Sequence, residues 1–207
     1  MRYGIYTALK YSVMLPLSLL LAGCLGGGAT TPVRYYLVDA VEPVTVPFSS
    51  DKPLIIEIID LHIPQYLERF NIATRSAENR LEFSEYNQWG ENLRKNLMRT
   101  MARNLSKLLS TVDIGTPLNR SLSLPDYRVQ IYIEKFEQDI DGKVRLAARW
   151  QLSDASEPKP LGIYSAELES KIKIEESDYD QIVSVMRELY GEFSDRIAAT
   201  IIAEENK

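Results

Sequence analysis

An α/β fold, with α+β as the alternative, is predicted for this chain: a single domain in which two amphipathic helices cover a mixed, largely antiparallel sheet. Three observations carry that reading. Apolar residues recur every three or four positions over 88–110 and again over 179–203, as they do on one face of a helix. Between these stretches, 126–154 alternates apolar and polar residues on both sides of Asp141-Gly142, the pattern of a half-buried hairpin. Leu54-Ile55-Ile56-Glu57-Ile58-Ile59 is nearly continuously apolar, which predicts a central strand covered on both faces.

Taken in order, the chain opens with a weakly basic stretch carrying Arg2 and Lys10, an apolar run from Tyr11 to Leu21, and then Leu21-Ala22-Gly23-Cys24. This is the layout of a secretory signal, and Leu-Ala-Gly-Cys resembles the bacterial lipobox. That resemblance implies cleavage before Cys24, with diacylglycerol and an N-acyl chain on its thiol. Residues 1–23 then form the signal peptide, and 24–33 a lipidated tether that is small and uncharged from Gly26 to Pro32. A transmembrane helix is the competing reading. Spanning needs about 20 apolar residues, whereas this run is shorter, contains Pro16 and is followed by Gly26-Gly27-Gly28. Two or more acyl chains anchor a protein stably. Leu25 stands where an aspartate retains many such lipoproteins in the inner membrane, so the lipoprotein resemblance implies the outer membrane, periplasmic face.

The folded domain is expected over 34–207. Arg34–Val38 reads as a first strand, and 40–53, with three prolines, as a loop. After the 54–59 strand and Pro64, Asn71–Ser76 and Arg80–Ser84 form a hairpin through Ala77-Glu78-Asn79. The helix over 88–110 buries Trp89, Leu93, Leu97, Met101, Leu105 and Leu108 and leaves Arg94, Lys95, Arg99 and Arg103 outside. That basic face is a solvated surface, or else it contacts an acidic partner. Residues 111–125 are a long loop. In the following hairpin Tyr127, Val129, Ile131 and Ile133 share a face with Val144, Leu146, Ala148, Trp150 and Leu152, turning through Asp141-Gly142 in a type I′ turn. Leu161–Ile174 follows as a strand with Ile172 inward. Ser177 is the expected cap of the last helix, which buries Ile182, Val183, Met186, Tyr190, Phe193, Ile197 and Ile201.

Composition narrows the function. Of 207 residues 24 are basic and 29 acidic, and removal of the signal leaves a net charge near -7 with no basic stripe, against nucleic-acid binding. The only cysteine is Cys24, so no disulfide is possible. No catalytic set is found. His62 stands alone without a serine in a nucleophile-elbow context, and reads as a structural or surface histidine. No spacing fits zinc or calcium, so neither a metal nor a cofactor beyond the covalent lipid is expected.

Several stretches together are familiar: the lipobox, Arg34-Tyr35-Tyr36-Leu37, Ile63-Pro64-Gln65-Tyr66-Leu67-Glu68-Arg69, Ile72-Ala73-Thr74-Arg75, Asn79-Arg80-Leu81-Glu82-Phe83 and Trp89-Gly90-Glu91-Asn92-Leu93. In order and spacing they resemble the PqiC/YmbA family of ABC-type transport auxiliary lipoproteins, with Gln88 and Gly90 departing from the arginine and alanine usual there. The resemblance implies a non-enzymatic accessory of an MCE/ABC-type phospholipid transport system. Such a protein docks the end of an MCE-domain assembly and forms a homo-oligomeric ring. Tyr66, Leu67, Arg69 and Arg75 match the family pattern and are the candidate partner-binding residues. Tyr66 and Leu67 are expected on a surface loop, and Arg69 or Arg75 is expected to pair with Glu68 or Glu85. Trp89 is expected in the core. An envelope-assembly lipoprotein, such as a secretin pilot or cell-wall-associated factor, is the alternative; a hydrolase centred on His62 ranks last.

Overall fold

The computed structural model describes residues 31–43, 48, 52–156 and 159–207. Cys24, the signal and most of the tether lie outside the described residues. Val33–Lys207 forms one unit, built on an eight-stranded mixed sheet. Its strands are β1 (Arg34–Tyr36), β2 (Ile56–His62), β3 (Asn71–Ala77), β4 (Arg80–Trp89), β5 (Ile114–Gly115), β6 (Tyr127–Gln138), β7 (Val144–Asp154) and β8 (Pro160–Glu169). The helices are α1 (Leu93–Leu108) and α2 (Tyr179–Glu205), and a 3-10 turn spans Gln65–Glu68. The order is β1-β4-β3-β6-β2-β5, with β7 on β6 and β8 on β7.

The centre is β6 rather than β2. β6 pairs with β7 antiparallel along its length, with β2 parallel, and with β3 at Thr74↔Gln138. β2 is also not covered on both faces. Ile56, Ile58 and Leu61 enter the core, but a register shift between Ile58 and Asp60 leaves Ile59 41% exposed. Both helices pack on one face: α1 over β2 and β5, α2 over β6, β7 and β8. The reverse face carries ion pairs such as Arg128–Glu57 at 2.9 Å and Arg149–Glu134 at 2.8 Å. A strand with one wet face needs apolar residues only at alternate positions.

The 126–154 hairpin forms with its alternation intact in β7, but the turn is not type I′. Gly142 has φ +81° while Asp141 does not have a positive φ. The Gly142 amide donates to Asp139 O at 2.9 Å and the Asp139 amide to Lys143 O at 2.7 Å. This is the three-residue loop with a left-handed glycine. Trp89 is buried, at 3% exposure, but as the last residue of β4. Helix α1 starts later than predicted because Asn92 caps it, accepting from the Lys95 amide at 3.1 Å. Asp178, not Ser177, caps α2 through the Gln181 amide. All seven residues predicted to be buried on α2 are buried, whereas Ile172 lies beyond the end of β8 and is 51% exposed.

After β1, residues 37–43 do not form a free loop but run as an extended strap along the two helices. The Val38 amide donates to Asn96 Oδ1 at 2.8 Å, Thr100 Oγ1 donates to Val38 O at 2.7 Å, and the Val41 amide donates to Asn104 Oδ1 at 3.1 Å. Asn104 Nδ2 continues to Ser194 Oγ on α2 at 2.9 Å. Positions 96, 100 and 104 are four apart, so one face of α1 presents a polar ladder to a backbone without strand partners of its own. Gly191 makes room for the strap, since a Cβ there would stand 2.5 Å from Val41 Cγ2. Beneath it, Trp150 meets Phe193 edge-on at 5.6 Å, and the Tyr190 hydroxyl donates to Leu97 O at 2.9 Å.

Candidate functional site

The sequence stretch 63–75 folds around a carboxylate that sequence reasoning overlooked, that of Glu137. Pro64 precedes the 3-10 turn, which the Leu67 amide closes on Pro64 O at 2.9 Å. The turn drops Leu67 into the core, 2% exposed, so its expected surface position is corrected. Its neighbour Tyr66 points to the other side, and its hydroxyl donates to Glu137 Oε2 at 2.7 Å. From β3, Arg75 reaches the same group: Nη2 to Oε1 at 2.9 Å and Nε to Oε1 at 3.3 Å. Arg75 Nη1 also donates to Glu78 O at 3.0 Å. The pairing of Arg75 with Glu68 or Glu85 is therefore not found. Glu68 stands 3.6 Å from Arg94, and Arg69 lies over the Phe83 ring at 4.4 Å.

Glu137 occupies this position because β6 is bulged. The register shifts between Ile133 and Lys135, so Phe136 replaces the next odd-numbered residue in the core and Glu137 turns away from it. The Glu137 side chain is 0% exposed. An isolated buried carboxylate costs several kcal/mol, and here it accepts from Tyr66, Arg75 and the Phe136 amide at 3.0 Å. Burial, and then the adjacent Glu137 charge, push the Tyr66 phenol well above its ordinary range, so it remains a donor. The hydrogen bond to Glu137 raises Arg75 in turn. Two of the four predicted partner-binding residues thus converge on one buried acid, while Arg69 alone of the four is exposed.

Beside this cluster is a cavity of about 410 Å³ lined by Arg75, Lys135, Asp139 and Arg145 among others. Arg145 bridges Asp139, Asp141 and Glu169. Burial alone would raise the Asp139 carboxyl, but the Lys135 ammonium, the Ile140 amide and Arg145 hold it down at about 2. The cations and anions here satisfy one another, which makes a brace rather than an open anion site. His62 stacks on Tyr132 with ring centroids 4.8 Å apart and stands 2.9 Å from Asp60. No serine or cysteine donates to it among the described residues. Nor do three or more His, Cys, Asp or Glu among them cluster as a metal site would require.

Glu137 was detectable in one respect. Continuing the parity of Val129, Ile131 and Ile133 would place Lys135 and Glu137 in the core and Phe136 outside, a conflict that only a bulge resolves.

Comparison with known proteins agrees with this framework. A family model for the ABC-type transport auxiliary lipoprotein component matches residues 35–198. The intermembrane transport lipoprotein PqiC of Escherichia coli (strain K12) is 22% identical over 187 residues, covering 89% of this chain and 93% of PqiC. A crystal structure of a Xanthomonas campestris protein matches with a TM-score of 0.67 at 11% identity, over 86% of this chain and 98% of that one. A second crystal structure, of an uncharacterized protein, matches at 0.63 and 19% identity over 83% and 99% of the respective chains. The two structural likenesses show a shared fold.

Proposed function

The chain belongs to the ABC-type transport auxiliary lipoprotein family, and from that premise we propose that it is a non-enzymatic accessory of an MCE/ABC-type intermembrane phospholipid transport system. In this reading it is anchored by lipid on Cys24 to the periplasmic face of the outer membrane and docks the end of the MCE assembly. The observation that carries it is the likeness to PqiC, an intermembrane transport lipoprotein, across 89% of the chain. Residues 1–23 are removed as the signal, 24–33 serve as the leash, and the domain assembles into a homo-oligomeric ring. Partner contact falls on the 3-10 turn region. There Arg69 and the edge of Tyr66 meet the partner, while Leu67 and Arg75 hold the turn from the core and from Glu137.

The test is crosslinking of the tagged, lipidated protein in intact cells, followed by mass spectrometry. Recovery of an MCE-domain protein together with further copies of this chain is the expected result. Recovery of a secretin or of cell-wall components alone overturns the reading in favour of envelope assembly. For the anchor, Cys24→Ser is expected to abolish fatty-acid labelling and signal cleavage; a variant that still labels contradicts lipidation at Cys24.

A further inference from the structure

Among the described residues the three most exposed large apolar side chains, Val112, Leu122 and Leu124 at 98%, 106% and 88%, all lie on the stretch between α1 and β6. Leu118, on the same stretch, is 55% exposed. Aliphatic groups concentrated in this way mark a contact surface rather than ordinary scatter.

This loop lies at the far end of the domain from the point where the tether enters. β1 starts beside the first turn of α2, with Arg34 Nη1 3.2 Å from Asp180 Oδ2, and ends beside the start of α1, where the Gly90 amide donates to Tyr36 O at 2.8 Å. At the other end, the loop leaves the last turn of α1, and Tyr127 just beyond it donates to Glu205 in the last turn of α2 at 3.0 Å. Both helices therefore run from the tether end to the loop end, and the 16 residues of α1 measure about 24 Å. The 3-10 turn belongs to the tether end as well, since Glu68 stands 3.6 Å from Arg94 in the first turn of α1. Residues 24–33, fully extended, span roughly 33 Å, more than the length of α1. A chain anchored through Cys24 can thus set its loop end against the bilayer, with the 3-10 turn facing away from it.

The chemistry of the loop suits a lipid surface. The polar residues between its leucines are small and neutral, Asn119, Ser121 and Ser123, apart from Arg120, and its only acid is the half-buried Asp113. Arg103 on α1 lines a groove of about 720 Å³ together with Val112 and Leu118, and no carboxylate lines it. Neither Arg103 nor Arg120 makes an ion pair among the described residues. The acids around this end are engaged: Asp126 with Lys52, Glu42 with Lys107, and Glu205 with Tyr127. Irregular backbone does not enter the hydrocarbon region, so the contact is shallow, with side chains among the acyl chains and guanidinium groups at the level of the phosphates.

We propose that residues 112–124 form a second, non-covalent membrane contact: Val112, Leu118, Leu122 and Leu124 enter the leaflet that holds the lipid of Cys24, and Arg103 and Arg120 lie on its phosphates. The proposal rests on the lipid-anchored reading above and adds an orientation to it, since the loop fixes which end of the domain faces the bilayer.

The only native cysteine is Cys24, whose thiol carries lipid in this reading, so a cysteine introduced elsewhere can be labelled alone. The full lipidated chain carrying Leu122→Cys or Ile140→Cys is labelled with an environment-sensitive fluorophore. It is then reconstituted into phosphatidylethanolamine and phosphatidylglycerol vesicles containing doxyl-labelled acyl chains. Ile140 is the control, 55% exposed on the β6–β7 turn, whose Gly142 O accepts from the Ile174 amide ahead of α2 at the tether end. The probe at 122 is expected to be quenched roughly threefold more than the probe at 140. Arg103→Glu with Arg120→Glu is expected to lower the quenching at 122 by about half while keeping the wild-type circular dichroism spectrum. Equal quenching at 122 and 140 overturns the proposal and leaves the anchor standing. So does a probe at 122 that is shielded from aqueous iodide yet untouched by the lipid-borne quencher, which means a protein contact. Undiminished quenching in the charge-reversed variant overturns the role given to the two arginines. Wild type that takes up no fatty acid overturns the anchor itself.

Discussion

The ladder of Asn96, Thr100 and Asn104 and the cluster of Tyr66, Arg75 and Glu137 both bury polar groups, yet they are built on different physics. The ladder is neutral and distributed: successive side chains each take up one backbone or hydroxyl group of a neighbour. The cluster is charged and focal, with every partner directed at a single carboxylate of 0% exposure. A neutral bond lost from the ladder leaves one orphaned polar group, at about 1–3 kcal/mol. An ionic partner lost from the cluster leaves a buried charge. The ladder therefore serves to hold an extended segment in place over a long contact, and the cluster to fix one point where the 3-10 turn, β3 and β6 meet.

The comparison breaks most sharply at Arg75. Arg75→Ala is expected to destabilise the domain by about 3–5 kcal/mol, since Glu137 then stays buried without its cation. Arg75→Met combined with Glu137→Met, which removes both charges and keeps the volume, is expected to recover part of that loss, the rest being the cost of the Tyr66 hydroxyl and Phe136 amide left without their acceptor. Denaturant unfolding of both variants measures the difference. If Arg75→Ala costs no more than a neutral ladder bond, the focal character of the cluster is refuted.

Acid distinguishes the two systems next. Asp139, in the ion network beside the cluster, is held at about 2, below its ordinary value of 3.8. A carboxyl depressed on folding stabilises the protein above its unfolded value, and the contribution is lost as pH falls through the folded one. Stability is therefore expected to fall by about 2 kcal/mol between roughly pH 4 and pH 2, and Asp139→Asn should flatten the profile in that window. Asn104→Ala removes the link from the strap to Ser194. It should cost about 1–2 kcal/mol at neutral pH and leave the acid profile parallel to wild type. A changed slope in Asn104→Ala would couple Asn104 to Asp139, two side chains that share no hydrogen bond or ion pair.

How far each region can be read from sequence follows from the same contrast. The amphipathic helices and β7 are legible because burial of one face is written in residue type at a fixed period, and Leu97, Met101, Tyr190, Phe193 and Trp150 all lie where that period puts them. Polar partnerships have no such period. Asn96, Thr100 and Asn104 recur every four residues on α1, but asparagine and threonine on a helix ordinarily signify solvent, and nothing local marks residues 37–43 as their partner. Arg75 stands out only as a residue matching a family pattern; its counter-ion lies 62 positions away in sequence. The reading of Leu54–Ile59 as a central strand fails because an apolar run does not reveal the bulge that turns Ile59 outward. Leu67 reads as a surface residue because a loop after proline usually is one, whereas a tight 3-10 turn can bury alternate sides.

The smallest expected change has the opposite sign. Thr74 sits next to Arg75 on β3, is 1% exposed, and its Oγ1 has no hydrogen-bond partner. A buried hydroxyl without a partner opposes folding by its lost hydration, and the side chain gains nothing from either polar system. Thr74→Val exchanges that hydroxyl for a methyl of similar size in a β-strand, where valine is favoured. The variant is expected to be neutral to about 1 kcal/mol more stable, with crosslinking and assembly unchanged. A loss of about 1 kcal/mol or more on chemical denaturation would mean that the hydroxyl is in fact satisfied, and would add Thr74 to the network around Glu137. In that case the charged cluster extends across β3 to the register pair with Gln138, and the boundary between the focal and the distributed system would have to move.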